Sequence, residues 1–322
     1  MQDIKVKSFP FGNFQKHEEN PVLSPVGDGW ESKDVFNPAA VVKDGKIYML
    51  YRAEDQTGLG KWNGTSRIGL AVSEDGIHFE RRPEPVLVPT EDYEKPGGCE
   101  DPRVTRIGDT YVLTYTAFDG VSARLCLAVS EDLIHWEKKG IVFPGWKGDQ
   151  SKEWSKSGAI LQEKVNGKYV MYFGDSSIWV AYSNDAVHWE PLEEPVLRVR
   201  KDPEAFDSLL VEPGPQPMMT EEGILLIYNG ARKLAEEGRS GSGGIHPAPV
   251  RYEAGQVLFS RDDPAKVIRR TSDSFFAPEV REERTGQVDN VVFLEGLVEL
   301  KGCWYLYYGM ADSHIGVAVY RP

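Results

Sequence analysis

Five times along the chain a glycine-bearing turn leads into a run of aromatic and aliphatic residues that ends on an aromatic ring. The runs are Lys46–Tyr51, Thr110–Tyr115, Lys168–Phe173, Gly223–Tyr228 and Trp304–Tyr308. Their composition is that of β-strands. Three follow a residue pair that tolerates positive φ, namely Asp44-Gly45, Gly108-Asp109 and Asn166-Gly167, and the other two have Gly223 and Gly302. Each run therefore reads as the returning strand of a hairpin. Between the terminal aromatics the gaps are 64, 58, 55 and 80 residues, a spacing that belongs to repeated β-sheet units. The expected fold is all-β, a five-bladed β-propeller with a central active-site cavity.

A second repeat interleaves with the first. Ala71–Glu80, Ala128–Glu137 and Ala181–Glu190 align residue for residue, and Leu258–Pro264 is a degenerate fourth copy. Each reads as a strand, a Ser-x-Asp turn and an outer strand. His78, His135 and His188 share one position in it, so they are read as turn residues and set aside as ligands or catalysts.

A chain of 322 residues is long for a single core, but repeated sheets grow by addition and share their cores with neighbours. Residues 1–322 are therefore expected to form one domain. The Gly/Ser-rich stretch Gly238–Gly244, inside an insertion at about 231–250, accounts for the longest gap; it is a lid or a tolerated surface loop. A net charge of −13 opposes nucleic acid and anionic membranes as partners, since phosphates call for a basic surface. Cys99, Cys126 and Cys303 have neither the even number of a disulfide framework nor metal-ligand spacing. Reduced thiols and no metal are expected. Met1–Lys5 begin no apolar leader, and no stretch approaches membrane-spanning length, so a cytoplasmic location is expected.

In a propeller the innermost strand of each blade lines the central channel. The polar residues that open those strands are Asn37, Asp101, Lys156, Glu212 and Asn290, which lie 14, 14, 17, 16 and 18 residues before the terminal aromatics. The ends of the returning strands add Arg52 and Glu54, Asp119, Asp175, Asn229, and Asp312 with His314. Carboxylates, amides and aromatic rings around a concavity suit sugar recognition, because planar polar groups bind hydroxyls and rings stack on apolar sugar faces.

Several of these segments together resemble glycoside hydrolase family 130. They are Asn37-Pro38-Ala39, Tyr51-Arg52, Gly98-Cys99-Glu100-Asp101-Pro102-Arg103, Lys156-Ser157-Gly158-Ala159, Glu212-Pro213-Gly214-Pro215 and Tyr308-Gly309-Met310-Ala311-Asp312. The resemblance spans nearly the whole chain. It implies a five-bladed propeller acting on β-mannosides, either as a mannoside phosphorylase or as a β-1,2-mannosidase. It also implies that Asp101 is the general acid, acting through the 3-hydroxyl of the mannose being released, and that Asn37, Arg52 and Asp312 hold that mannose. Tyr308 is placed in the site by its motif.

Departures from the pattern bear on the acceptor. The resemblance implies a histidine after the fourth-blade tyrosine and an arginine after the third-blade strand in phosphorylases, where both help to cradle phosphate. Here those places read Tyr228-Asn229-Gly230 and Phe173-Gly174-Asp175, and the chain adds Glu212 and, 41 residues on, Glu253. A like-charge contact at about 4 Å costs about 4 kcal/mol at an effective dielectric near 20, which disfavours a phosphate anion. The expectation is an inverting β-1,2-mannosidase with Asp101 as acid and Glu212 or Glu253 activating water. The alternative is a phosphorylase drawing phosphate with Lys156, Arg103 and Arg124, and a third reading is a glycan-binding propeller without turnover. The expected partner is a β-mannoside oligosaccharide, with no cofactor and with a homo-oligomer possible through exposed sheet edges.

Overall fold

The computed structural model describes residues 9–56, 64–146, 154–234 and 249–322. The stretch Gly238–Gly244, and with it the lid reading, lies outside them. About half of the described residues lie in strands and helix is confined to Asp92–Glu94 and Arg281–Arg284, in agreement with the all-β expectation.

After a short strand β1 (Gln15–Lys16), the chain runs through five antiparallel meanders. The first is β2 (Asp34–Lys43), β3 (Lys46–Glu54), β4 (Ser66–Ser73) and β5 (Glu80–Arg81). The second is β6 (Gly98–Ile107), β7 (Thr110–Phe118), β8 (Ala123–Ser130) and β9 (Glu137–Ile141), tied to the first by a parallel contact of Ser66 with Gly98. The third is β10 (Ala159–Ile160), β11 (Tyr169–Phe173), β12 (Trp179–Ser183) and β13 (Glu190–Pro191). The fourth is β14 (Leu210–Pro213), β15 (Met218–Met219), β16 (Ile224–Lys233), β17 (Val250–Phe259) and β18 (Val267–Arg270). The fifth is β19 (Val292–Leu300), β20 (Cys303–Met310) and β21 (His314–Tyr320), whose outer edge is filled by β1.

The hairpins follow the turn chemistry of the sequence. Asp44-Gly45, Asn166-Gly167 and Lys301-Gly302 have both residues at positive φ, the geometry that matches the strand twist. In the Ser-x-Asp turns, Ser73 Oγ accepts the amide of Gly76 at 2.8 Å, Asp75 Oδ1 accepts those of Ile77 and His78, and Asp75 Oδ2 meets His78 Nδ1 at 2.8 Å. The same set recurs at Ser130, Asp132 and His135 and at Ser183, Asp185 and His188. All three histidines are exposed, as their reading as turn residues requires.

Hydrophobic side chains gather between neighbouring meanders. One cluster joins the first to the second through Leu50, Leu70 and Leu113, and another joins the second to the third through Leu125, Met171 and Phe173. The third and fourth meet at Tyr172 and Leu226, the fourth and fifth at Leu225 and Leu294, and the fifth returns to the first at Tyr307 and Met49.

Behind these clusters lies a device that repeats with the sheets. A tyrosine on the second strand donates its hydroxyl to a buried carboxylate from the preceding loop, and a cation from the outermost strand meets the same carboxylate. Tyr51 meets Glu31 at 2.8 Å with Arg81 of β5, and Tyr115 meets Glu94 at 2.8 Å with Lys138 of β9. Tyr228 meets Asp207 at 2.6 Å with Arg270 of β18, and Tyr308 meets Glu283 at 2.9 Å with Lys16 of β1. The third meander breaks the rule. Pro191 stands opposite Ala181, where Arg81 and Lys138 stand opposite Ala71 and Ala128, and Tyr172 donates instead to the carbonyl of Pro264 at 2.9 Å.

Two sequence readings are corrected here. The repeat tyrosine of the third meander is Tyr172, because Phe173 points to the opposite face and packs with Leu125 and Trp179. A one-residue shift along a strand exchanges faces. Tyr308 is a clamp residue, fully buried against Glu283 and Asn20, and presents nothing to a sugar.

Candidate active site

Asn37, Arg52, Asp101, Lys156 and Glu212 converge at one end of the meanders, where first strands begin and second strands finish. Asn37 and Asp101 occupy bulges in β2 and β6, with φ of 49° and 47°. A bulge leaves one residue unpaired and re-aims its side chain; Asn and Asp tolerate this backbone better than most residues. Asn37 Nδ2 donates to Asp101 Oδ1 at 2.8 Å.

Arg52, at the end of β3, organises the acids around it. Its guanidinium donates to Asp101 Oδ1 at 3.0 Å, Glu100 Oε1 at 2.9 Å, Glu54 Oε1 at 2.7 Å and Ser66 Oγ at 2.9 Å, and it lies 4.6 Å from the centre of the Phe36 ring. Glu54 also accepts from Lys33 and Gln287. Both its oxygens are occupied, so Glu54 orients Arg52 and has no free oxygen for a sugar hydroxyl.

Lys156 joins the two halves of the site. Its ammonium lies 3.5 Å from Asp101 Oδ2 and 3.6 Å from Glu212 Oε1. Those two oxygens are thus at most about 7 Å apart, against roughly 6.5–9.5 Å between the carboxyls of inverting glycosidases. Ser157 Oγ donates to the same Glu212 oxygen. Asp175 lies close enough to act electrostatically on both Lys156 and Glu212.

Burial sets unequal protonation within this group. Burial alone would raise the Asp101 carboxyl, but Arg52, Lys156 and the Asn37 hydrogen bond outweigh it and hold it well below the usual range. Burial also raises Glu100, and here it wins over Arg52; together with the Asp101 charge it lifts Glu100 to about 7. Asp312 is likewise pushed to about 7 by burial against the pull of Arg52. Burial raises Glu212 despite Lys156 and Arg103. For Lys156, burial is overcome by Glu212, Asp101 and Asp175, which keep it cationic. With no sugar bound, Glu100 and Asp312 therefore hold protons far more readily than Asp101, which stays ionised.

Other expected residues have different places. Arg103 is sealed: Nε donates to Gly214 O at 2.9 Å, Nη2 to Pro213 O at 2.7 Å and Nη1 to Asp101 O at 3.4 Å. It ties two strands together and offers little to phosphate. Asn229 is fully buried and spends its amide on both main-chain groups of Leu294, at 3.0 and 2.9 Å. Asn290 precedes β19 and engages Tyr252 N and Arg284 O through its main chain. His314 pairs with Ser24 Oγ at 3.0 Å. Asp119 accepts the amides of Val121 and Ser122 and pairs with Arg124 at 2.6 Å, within its own hairpin. Glu253 stands opposite Gly230, one rung from the pairing of Glu212 with Asn229. Its contacts are Arg232 at 3.3 Å, Arg251 at 3.5 Å and Ser274 at 3.0 Å, none of them shared with Asp101.

Sequence reading missed three participants. Glu100 and Ser157 stood inside quoted motifs beside the residues chosen. Glu295 is the bulge residue of β19, between the Leu294–Tyr308 and Gly296–Tyr307 pairs, and lies 3.0 Å from Arg103. Its position in the fifth repeat, where Asn290 was expected, was the available signal. The surface depressions bordered by Thr110, His135 and Trp136 and by Lys43, Asp44 and Arg106 contain none of these residues.

A family model described as beta-1,4-mannooligosaccharide phosphorylase (Glyco_hydro_130) matches residues 13–321. The chain is 36% identical over 312 residues to a 1,2-beta-oligomannan phosphorylase of Thermoanaerobacter sp. (strain X514), covering 94% of this chain and 95% of that one. It is 40% identical, with a TM-score of 0.87 and 99% and 97% of the two chains covered, to a solved structure described by the words "the GH130 family of mannoside phosphorylases contains glycoside hydrolases that target beta-1,2 mannosidic linkages in Candida mannan". A β-1,2-mannobiose phosphorylase from Listeria innocua, solved with β-1,2-mannobiose, aligns with a TM-score of 0.78 at 26% identity over 96% of this chain and 97% of that one. A match running from residue 13 to residue 321, with relatives this similar along almost their full length, means that the chain belongs to glycoside hydrolase family 130.

Proposed function

We propose that this protein is an enzyme that cleaves β-1,2-linked mannosides and transfers the released mannose to water with inversion. The observation that carries the reading is the Asp101–Lys156–Glu212 arrangement, in a cluster where carboxyls outnumber the cations Arg52, Arg103 and Lys156. We read the five meanders as the blades of a closed propeller whose axis passes through this cluster. The five hydrophobic clusters, including the one between the fifth and first meanders, support that reading.

Asn37, Arg52 and Asp312 hold the mannose to be released. Glu212 takes a proton from a water molecule, whose oxygen attacks the anomeric carbon opposite the departing oxygen. The departing oxygen receives a proton from the mannose 3-hydroxyl, which Asp101 restores. Glu253, on the next rung, is the second carboxylate available to water. Because Asp101 is ionised without substrate, the sugar must loosen its contact with Arg52 or Lys156. Losing either cation raises the Asp101 carboxyl and lets it take up the proton that Glu100 carries.

A second reading is phosphorolysis, with phosphate as acceptor and mannose 1-phosphate as product. The names of the curated relatives favour it over hydrolysis, whereas a second carboxyl, Glu212, set across Lys156 from Asp101, favours water. One experiment separates them: β-1,2-mannobiose is incubated with and without phosphate. Mannose released equally in both supports hydrolysis. Mannose 1-phosphate formed only with phosphate overturns it and establishes the second reading, and binding without any product leaves a glycan-binding protein.

A further inference from the structure

The least expected group at the site is Glu295. It is wholly buried, and although one oxygen lies 3.0 Å from Arg103 Nη2, neither oxygen has a hydrogen-bond partner of acceptable geometry. A buried polar group left so is rare and calls for a reason. Its surroundings supply one. Arg103 is the tie between the strand bearing Asp101 and the strand bearing Glu212, through the carbonyls of Asp101, Pro213 and Gly214. Leu294, the neighbour of Glu295, is fixed at both main-chain groups by Asn229, so the bulge that aims Glu295 at Arg103 is itself held.

We propose that Glu295 is a positioning residue: an uncharged carboxylic acid that seats the Arg103 guanidinium between the Asp101 and Glu212 strands without quenching its charge. The titratable and charged groups that face it are Arg103 and Asp101 from β6, Glu212 from β14 and Lys156. A second full negative charge among Asp101 and Glu212 would have to be sustained with no hydrogen bond to its oxygens, an arrangement that burial penalises heavily. Burial pushes the Glu295 carboxyl well above the usual range, against the pull of Arg103 and with Asp101 and Glu212 adding to the rise. A neutral acid beside Arg103 leaves that cation free to act on Glu212. The sequence pattern hides this role because the fifth repeat delivers a carboxyl to the channel where the first delivers an amide.

The inference rests on the assignment of Asp101 and Glu212 as the reacting pair, and the test separates the two. Infrared difference spectra of the intact protein, wild type against Glu295→Gln at neutral pH, read the protonation directly and need no substrate. The expected result is the carbonyl band of a buried protonated carboxyl that is lost in the variant; a carboxylate band lost in its place overturns the proposal. Kinetics on β-1,2-mannobiose then read the positioning. Glu295→Gln, which mimics the neutral acid, is expected to keep kcat within about threefold, while Glu295→Met, of similar volume but without a polar group to face Arg103, lowers kcat at least tenfold with KM changed less than threefold. A Glu295→Met enzyme with wild-type kcat, or a Glu295→Gln enzyme as slow as Glu295→Met, overturns it. If neither wild type nor variants cleave the disaccharide, the functional reading fails while the infrared result still decides the state of Glu295.

Discussion

The tyrosine clamps at the back of the sheets and the cluster at their converging ends use the same kinds of group to opposite effect. In the clamps one carboxylate receives a tyrosine, a cation and often main-chain amides, and the same solution recurs in four of the meanders. Glu94, for example, accepts from Tyr115, Lys138 and the amides of Thr90 and Glu91. In the cluster each meander delivers something different: an amide from the first, a low-lying acid from the second, a lysine and a serine from the third, a raised acid from the fourth and a sealed acid from the fifth. Repetition satisfies charge and builds the scaffold. Departure from repetition leaves charge imperfectly balanced, and that imbalance is what proton transfer needs.

The largest effect that would sharpen this contrast is the loss of the acid. Asp101→Asn is expected to lower kcat/KM on β-1,2-mannobiose about 10³-fold, within the range for general acid catalysis. Wild-type turnover by this variant would break the assignment. Glu212→Gln is expected to cost about 10²-fold, measured beside Glu253→Gln; a larger loss in the latter would move water activation to the Arg232–Arg251 cluster. The clamps should respond in stability instead. Lys138→Met leaves the buried Glu94 charge without its cation and is expected to cost about 3 kcal/mol in urea denaturation, with steady-state kinetics unchanged at permissive temperature.

Opposite pH dependences form a finer test. Burial opposes ionisation of Glu94, but Lys138 and the amide hydrogen bonds prevail and depress its carboxyl. Its contribution is therefore present above the unfolded carboxyl range and is lost as pH falls through its folded value. Asp312 has the reverse sign: raised by burial to about 7, it favours the folded state below the unfolded value, and that advantage is lost as pH rises toward 7 and above. Asp312→Asn should thus flatten the decline in stability between about pH 4 and 7 while impairing sugar binding; an unaltered slope would show that Asp312 does not titrate there. The smallest expected effect is Tyr115→Phe, about 2 kcal/mol for one hydrogen bond to a charged carboxylate, with no change in kcat.

The contrast also explains what the sequence disclosed. Repetition is visible in a single chain, so the all-β architecture, the hairpins and the turn histidines could be read directly. Asp101, Lys156 and Glu212 emerged because they stand at one register of that repeat. Partnership could not be read in the same way. Asn229, Arg103 and Tyr308 have side chains suited to a ligand, yet each is consumed by a neighbour distant in sequence. Glu295 was overlooked because a bulge moves the residue that reaches the cluster, and a bulge is fixed by pairing across strands rather than by local composition.

The strand β1 sets the order in which the molecule can be completed. Gln15 and Lys16 pair with Val319 and Ala318, and Lys16 also supplies the cation of the clamp in the fifth meander. A strand made early must wait for a partner that lies about 300 residues further along the chain. Until then the outer edge of β21 has no neighbour and invites other strands, and contacts so far apart in sequence form slowly. The edge of β21 is accordingly exposed to misassociation until β1 has closed on it, and removing residues 9–24 should convert that brief hazard into a permanent one, measurable as aggregation of otherwise folded protein.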